Sequence, residues 1–154
     1  MKNQTKTIIA WLIFFGYSSC LIYWMFRGFD RVPHSDYRYN YIPLRTIFGY
    51  LLHINPNNFI TSLINLAGNI GVFIPFGILL PYIIKKLRSF TWFSAYFIGA
   101  VMVLEIMQTI LRVGTGDVDD VILNYIGGCL GFLLYRVGLS PNNIDKDTIT
   151  RCQS

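Results

Sequence analysis

Four apolar runs, each long enough to cross a bilayer, take up most of this 154-residue chain. A helix needs roughly 20 apolar residues to span the hydrocarbon core, and the runs at 7–26, 60–84, 90–111 and 117–139 meet that length. Lipid offers the backbone no hydrogen-bond partners, so such runs must satisfy their N–H and C=O groups within a helix or a closed barrel. The lack of period-2 alternation selects helices. The expectation is an all-α, polytopic membrane bundle of about four transmembrane helices, one domain over 1–140, with a polar tail at 141–154. Only 14% of the residues are charged, against about 25% in soluble domains, so membrane lipids are the expected surroundings. The net charge of +5 comes from Lys and Arg in small groups between the runs rather than along one face. That distribution reads as a topology signal and argues against nucleic acid as a partner.

Lys2 and Lys6 precede the first run as in a signal peptide, but no small-residue cleavage site follows, so the segment is expected to stay as an anchor. A lipoprotein reading of Cys20 fails at Tyr17, where an aliphatic residue is wanted, and apolar sequence continues beyond the cysteine. Cys20, Cys129 and Cys152 lack metal spacing, and no disulfide, metal or other cofactor is expected. With the N-terminus inside, Lys2, Lys6, Lys85, Lys86, Arg88, Arg136, Lys146 and Arg151 are cytoplasmic, against Arg27, Arg31, Arg38, Arg45 and Arg112 outside. Eight against five favours a multi-pass protein of the cell membrane with both termini in the cytoplasm.

The segment 27–59 is too polar to span. Its Pro43-Leu44-Arg45-Thr46-Ile47-Phe48-Gly49-Tyr50-Leu51-Leu52 reads either as loop with interfacial aromatics or as a short interfacial helix in the first external loop, opened by Pro43. In the second case Ile47, Phe48, Leu51 and Leu52 share the membrane face, and the helix could lid something beneath it. His34 and His53 are isolated and carry no metal-type pairing.

Polar side chains inside the runs form stripes. Ser62, Asn65 and Asn69, then Glu105, Gln108 and Arg112, then Asp117, Asp120 and Asn124 are each spaced by three and four, one face per helix. A charged side chain at a helix centre costs about 2.5–3.5 kcal/mol on insertion scales, so each needs a partner or a purpose. Gly114-Thr115-Gly116 joins the third and fourth runs so tightly that they must be antiparallel neighbours. Glu105 and Asn124 then lie about 10 Å below that joint, with Asn69 at similar depth, which predicts a polar pocket in the outer leaflet. Plainer roles compete. Asp117 can cap a helix with Asp120 at its third position, and the asparagines can bond between helices. Gly127 and Gly131 suit close helix packing, while Pro75, Gly77 and Pro81 are expected to kink or end the second helix. Glu105 with Asp117 and Asp120 could hold a divalent cation, though no spacing motif demands it. Glu105 is hardest to explain plainly: it is paired with Arg112 or another cation, protonated, or part of a site.

Three blocks in order then resemble the VanZ family: Asn69-Ile70-Gly71-Val72-Phe73-Ile74-Pro75-Phe76-Gly77, Glu105-Ile106-Met107-Gln108, and Gly114-Thr115-Gly116-Asp117-Val118-Asp119-Asp120 continuing through Asn124-Tyr125-Ile126-Gly127-Gly128. Ile42-Pro43-Leu44-Arg45 is similar to the short Pro-containing segment after the family's first helix. The resemblance implies a bacterial, Gram-positive membrane protein like the one that raises resistance to the glycopeptide teicoplanin. It maps the family's acidic and amide positions onto Asn69, Glu105, Gln108, Asp117, Asp120 and Asn124 as candidate binding residues. Many members carry a basic residue where this chain has Thr115. The ligand expected from the pocket is a lipid-linked envelope precursor or a lipoglycopeptide. The alternatives are an intramembrane enzyme acting on a lipid or envelope precursor, and a small helix-packing assembly factor.

Overall fold

The computed structural model describes residues 2–28, 35–37, 39–53, 55 and 58–139. The tail at 141–154 and the expectations placed on Arg31, His34, Arg38 and Cys152 lie outside them. The order along the chain is α1 (Lys2–Arg27), a two-residue strand β1 (Tyr39–Asn40), α2 (Arg45–Leu52), α3 (Phe59–Ile83), α4 (Phe90–Ile110), a second two-residue strand β2 (Gly116–Asp117) and α5 (Val118–Leu134). A 3-10 turn, Lys85–Arg88, joins α3 to α4, and a wider turn, Tyr135–Leu139, follows α5. Four helices are long and apolar enough to cross a membrane, over Gln4–Arg27, Phe59–Ile83, Phe90–Ile110 and Val118–Leu139. Large apolar side chains such as Ile8, Leu12, Phe15, Ile64 and Ile106 point outward, where lipid rather than water makes exposure cheap.

Lipid competes with any apolar helix contact, so association needs close backbone approach. α3 and α5 achieve it through glycine. A Cβ on Gly127 would overlap the carbonyl oxygen of Ile70, one on Gly131 that of Ile74, and one on Gly77 that of Gly128. The contact repeats one turn apart on both helices, which fixes their register as well as their distance. Gly77 thus works as a packing surface, and α3 runs unbroken through Pro75 and Pro81 to Ile83. Pro75 therefore does not end the helix, which closes two residues after Pro81.

Phe73, Phe76, Phe93, Phe97, Val101 and Phe132 form the apolar core, with Phe93 stacked on Phe97 at 5.1 Å and tilted against Phe132 at 4.8 Å. α1 leans on this core from outside through Phe14 and Tyr17, both against Phe76, and Tyr17 donates a hydrogen bond to the Val72 carbonyl at 3.0 Å. The short Lys85–Arg88 connection buries Leu87 and sets Lys86 over the Trp92 ring at 3.8 Å.

Candidate functional site

One face of α4 carries Phe93, Phe97, Val101, Glu105 and Gln108, all buried. Spacing by fours and a three keeps them in line, so the face changes from apolar to polar within a turn after Val101. The polar half meets polar groups from α1, α3 and α5. Gln108 donates to the Met25 carbonyl of α1 at 2.9 Å, Asn124 of α5 donates to Glu105 Oε1 at 3.4 Å, and Asn69 of α3 donates to Asp120 Oδ1 at 2.6 Å. Asn69 precedes Ile70, whose carbonyl rests on Gly127, so the glycine contact sets the height at which Asn69 reaches Asp120.

The end of α4 explains why Arg112 leaves the predicted stripe. α4 stops at Ile110, Arg112 takes a left-handed φ of 57°, and the N–H groups of Arg112 and Val113 return to the carbonyls of Thr109 and Gln108 at 3.1 Å each. That is the paired-bond C-terminal cap usually closed by glycine. The guanidinium turns to the first loop, donating to the Ser35 carbonyl at 3.2 Å and lying 4.3 Å from the Tyr37 ring centre. The alternative in which Arg112 neutralises Glu105 gives way to these contacts.

Beyond this cap the chain extends as β2 and pairs in parallel with β1, Tyr39 opposite Gly116 and Asn40 opposite Asp117. Asp117 caps α5 by accepting from the Asp119 N–H at 2.9 Å, and also accepts from Asn40 Nδ2 at 3.2 Å and from the Thr46 hydroxyl. Asp119, fully buried at 0% exposure, accepts from the backbone N–H groups of Leu44, Thr46 (2.7 Å) and Ile47 (3.2 Å). The first N–H groups of α2 have no intrahelical acceptor, and its own cap residue, Leu44 at φ 65°, contributes no side-chain bond. A carboxylate from α5 fills that role and meets the positive end of the α2 dipole. α2 starts at Arg45, so Pro43 lies in the preceding turn rather than at the first helical position. Phe48, Leu51 and Leu52 face outward as the interfacial reading expects, while Ile47 is half-buried.

Beneath α2 lies a cavity of about 600 Å³. Asn69, Glu105, Gln108, Asp117, Asp120 and Asn124 all line it, so the six candidate residues come together on one wall system drawn from α3, α4, β2 and α5. Glu105 is 7% exposed and Asn124 2%, so they sit deep. The side-chain oxygen of Asn124 has no hydrogen-bond partner among the described residues. Arg45, Thr46 and Tyr50 of α2 roof the cavity, and Phe73 and Leu123 close it toward the apolar core. Ser62 lies off the lining and Asn65 on it, donating back to the Thr61 carbonyl at 2.8 Å. No group of three His, Cys, Asp or Glu among the described residues could hold a metal ion, so Glu105, Asp117 and Asp120 do not form the considered cation site. Asn40, Thr46 and Asp119 were not anticipated from sequence. Three aspartates within four residues were the available signal, but their acceptors' partners lie far away in the chain.

A family model described as VanZ/LLP1 matches residues 7–139. The chain is 31% identical over 114 residues to "Protein VanZ" of Enterococcus faecium, covering 74% of this chain and 69% of that protein. No solved structure matches significantly.

Proposed function

The chain belongs to the VanZ/LLP1 family, and from that premise we propose that it is a bacterial envelope protein whose cavity holds the polar part of a lipid-linked precursor or a lipoglycopeptide, lowering susceptibility to teicoplanin. One observation carries the reading: a roofed polar cavity of about 600 Å³ set among lipid-facing helices. Polar groups at this depth are expensive, and direct pairing between helices would be the cheaper way to satisfy them. Here Asn69 with Asp120 and Asn124 with Glu105 do pair across helices, yet the same groups also line open space. Membrane pockets of this size with a few converging polar groups are suited to binding. The charge distribution supports both termini in the cytoplasm, which puts the mouth under α2 at the outer surface.

Expression in a teicoplanin-sensitive host is expected to lower susceptibility. Glu105→Ala, at equal protein level, is expected to return it to that of the host alone. An unchanged response in the variant would remove the cavity from the explanation. A second reading is favoured by the carboxylates of Glu105 and Asp120, each held by an asparagine amide in the same cavity. Such groups are placed to move a proton for an intramembrane enzyme acting on a lipid or envelope precursor. A changed precursor profile in a deletion strain, restored by wild type and not by Glu105→Gln, would select it.

A further inference from the structure

A second, apolar groove of about 350 Å³ lies on the other side of Glu105 and Asp117, which line both spaces. Met102, Ile106, Ile110 and Val121 form its walls, and Tyr39 and Tyr41, stacked at 4.9 Å, border it. Met102, Ile106 and Ile110 are exposed on the outer surface of α4, so the groove opens sideways to lipid. The cavity behind it has the opposite character. Its ionisable lining consists of the carboxyl groups of Glu105, Asp117 and Asp120 and the α2 side chains Arg45 and Tyr50, so acidic groups outnumber the single guanidinium. The buried side-chain oxygen of Asn124 is an acceptor with no partner among the described residues. A buried acceptor is normally paired, and the group it lacks is a donor.

We propose that the ligand is an amphiphile bearing a protonated amine, its ammonium in the cavity beside Asn124 and Glu105 and its hydrocarbon chain in the groove between α4 and α5. This rests on the reading of the cavity as a binding site. An ammonium offers three donors and no acceptor, which matches a lining rich in oxygen acceptors. A phosphate or sulfate headgroup would meet the same carboxylates as a repulsive wall. The shared residues Glu105 and Asp117 mark where headgroup and chain divide, and entry is from the lipid side.

The test uses the full chain purified in detergent, with dodecylamine, dodecanol and dodecyl sulfate as probes and thermal unfolding as the readout. Dodecylamine is expected to raise the melting temperature saturably, at concentrations at least about ten-fold below dodecanol. Glu105→Gln and Asn124→Leu are expected to weaken dodecylamine about ten-fold or more, and Ile106→Trp to weaken dodecylamine but not butylamine. Dodecanol or dodecyl sulfate acting as well as the amine overturns the proposal on wild-type protein alone, whether or not the variants fold. Competition by teicoplanin would identify the antibiotic as the source of the amine, and competition by an amine-bearing lipid without phosphate, such as sphingosine, the membrane. Loss of amine selectivity while Glu105→Ala still erases the teicoplanin response sinks this inference alone. Selectivity retained while that response ignores Glu105 sinks the functional reading instead.

Discussion

Asp119 is the residue on which the roof of the cavity depends. It supplies the acceptors for three N–H groups at the start of α2, and among the described residues no other side chain caps the start of that helix. Asp119→Ala is expected to destabilise the protein by about 2–4 kcal/mol, since a lost cap is worth about 1 kcal/mol and one donor left buried without a partner costs about 1–3 more, the more exposed N–H groups turning to water. Asp119→Asn keeps one oxygen and should fall between. Thermal unfolding in detergent measures both, and a wild-type melting temperature in the alanine variant would show that α2 is held elsewhere. The six cavity residues were legible in the sequence because polar stripes at helical spacing fix a face before any partner is known, and the likeness to the VanZ family picks these six out of the stripes. Asp119 lies off that face and acts on backbone more than seventy residues earlier, |i−j| = 73 for the bond to Thr46. Local periodicity carries no trace of such a pair.

Between elements, the decisive contact is α3 on α5. Gly131→Val would drive a branched side chain into the Ile74 carbonyl, so it is expected to separate the helices and abolish recovery of folded protein, as judged by gel filtration. Gly99→Ala on α4 meets nothing within 4 Å. It is expected to be neutral or to stabilise by up to about 0.5–1 kcal/mol, the cost of a helix-interior glycine. Equal effects of the two substitutions would refute close approach as the reason for the glycines. The spacing of Gly127 and Gly131 announced this packing, and the lengths of the four runs announced their helices to within a few residues. Helix ends were harder. The stripe Glu105, Gln108, Arg112 extends one position too far because an arginine closes the α4 cap where glycine is customary. Likewise the β1 and β2 pair, two residues each, is too short to leave a pattern.

For the molecule as a whole, the side of the membrane on which α2 and the mouth lie determines what can reach the cavity. Thr115 is exposed in the joint between α4 and β2. Thr115→Cys, in a background lacking the native cysteines, is expected to react with an impermeant thiol reagent on intact cells. Reaction only after lysis would reverse the orientation and place the site in the inner leaflet. The stack of Phe73, Phe97, Phe93 and Phe132 bears on this directly. Those rings close the bundle below Glu105, so the cavity has no opening through the apolar core. Under the proposed function, that makes the cavity a socket open toward α2 and the lipid side, and not a conduit to the opposite compartment.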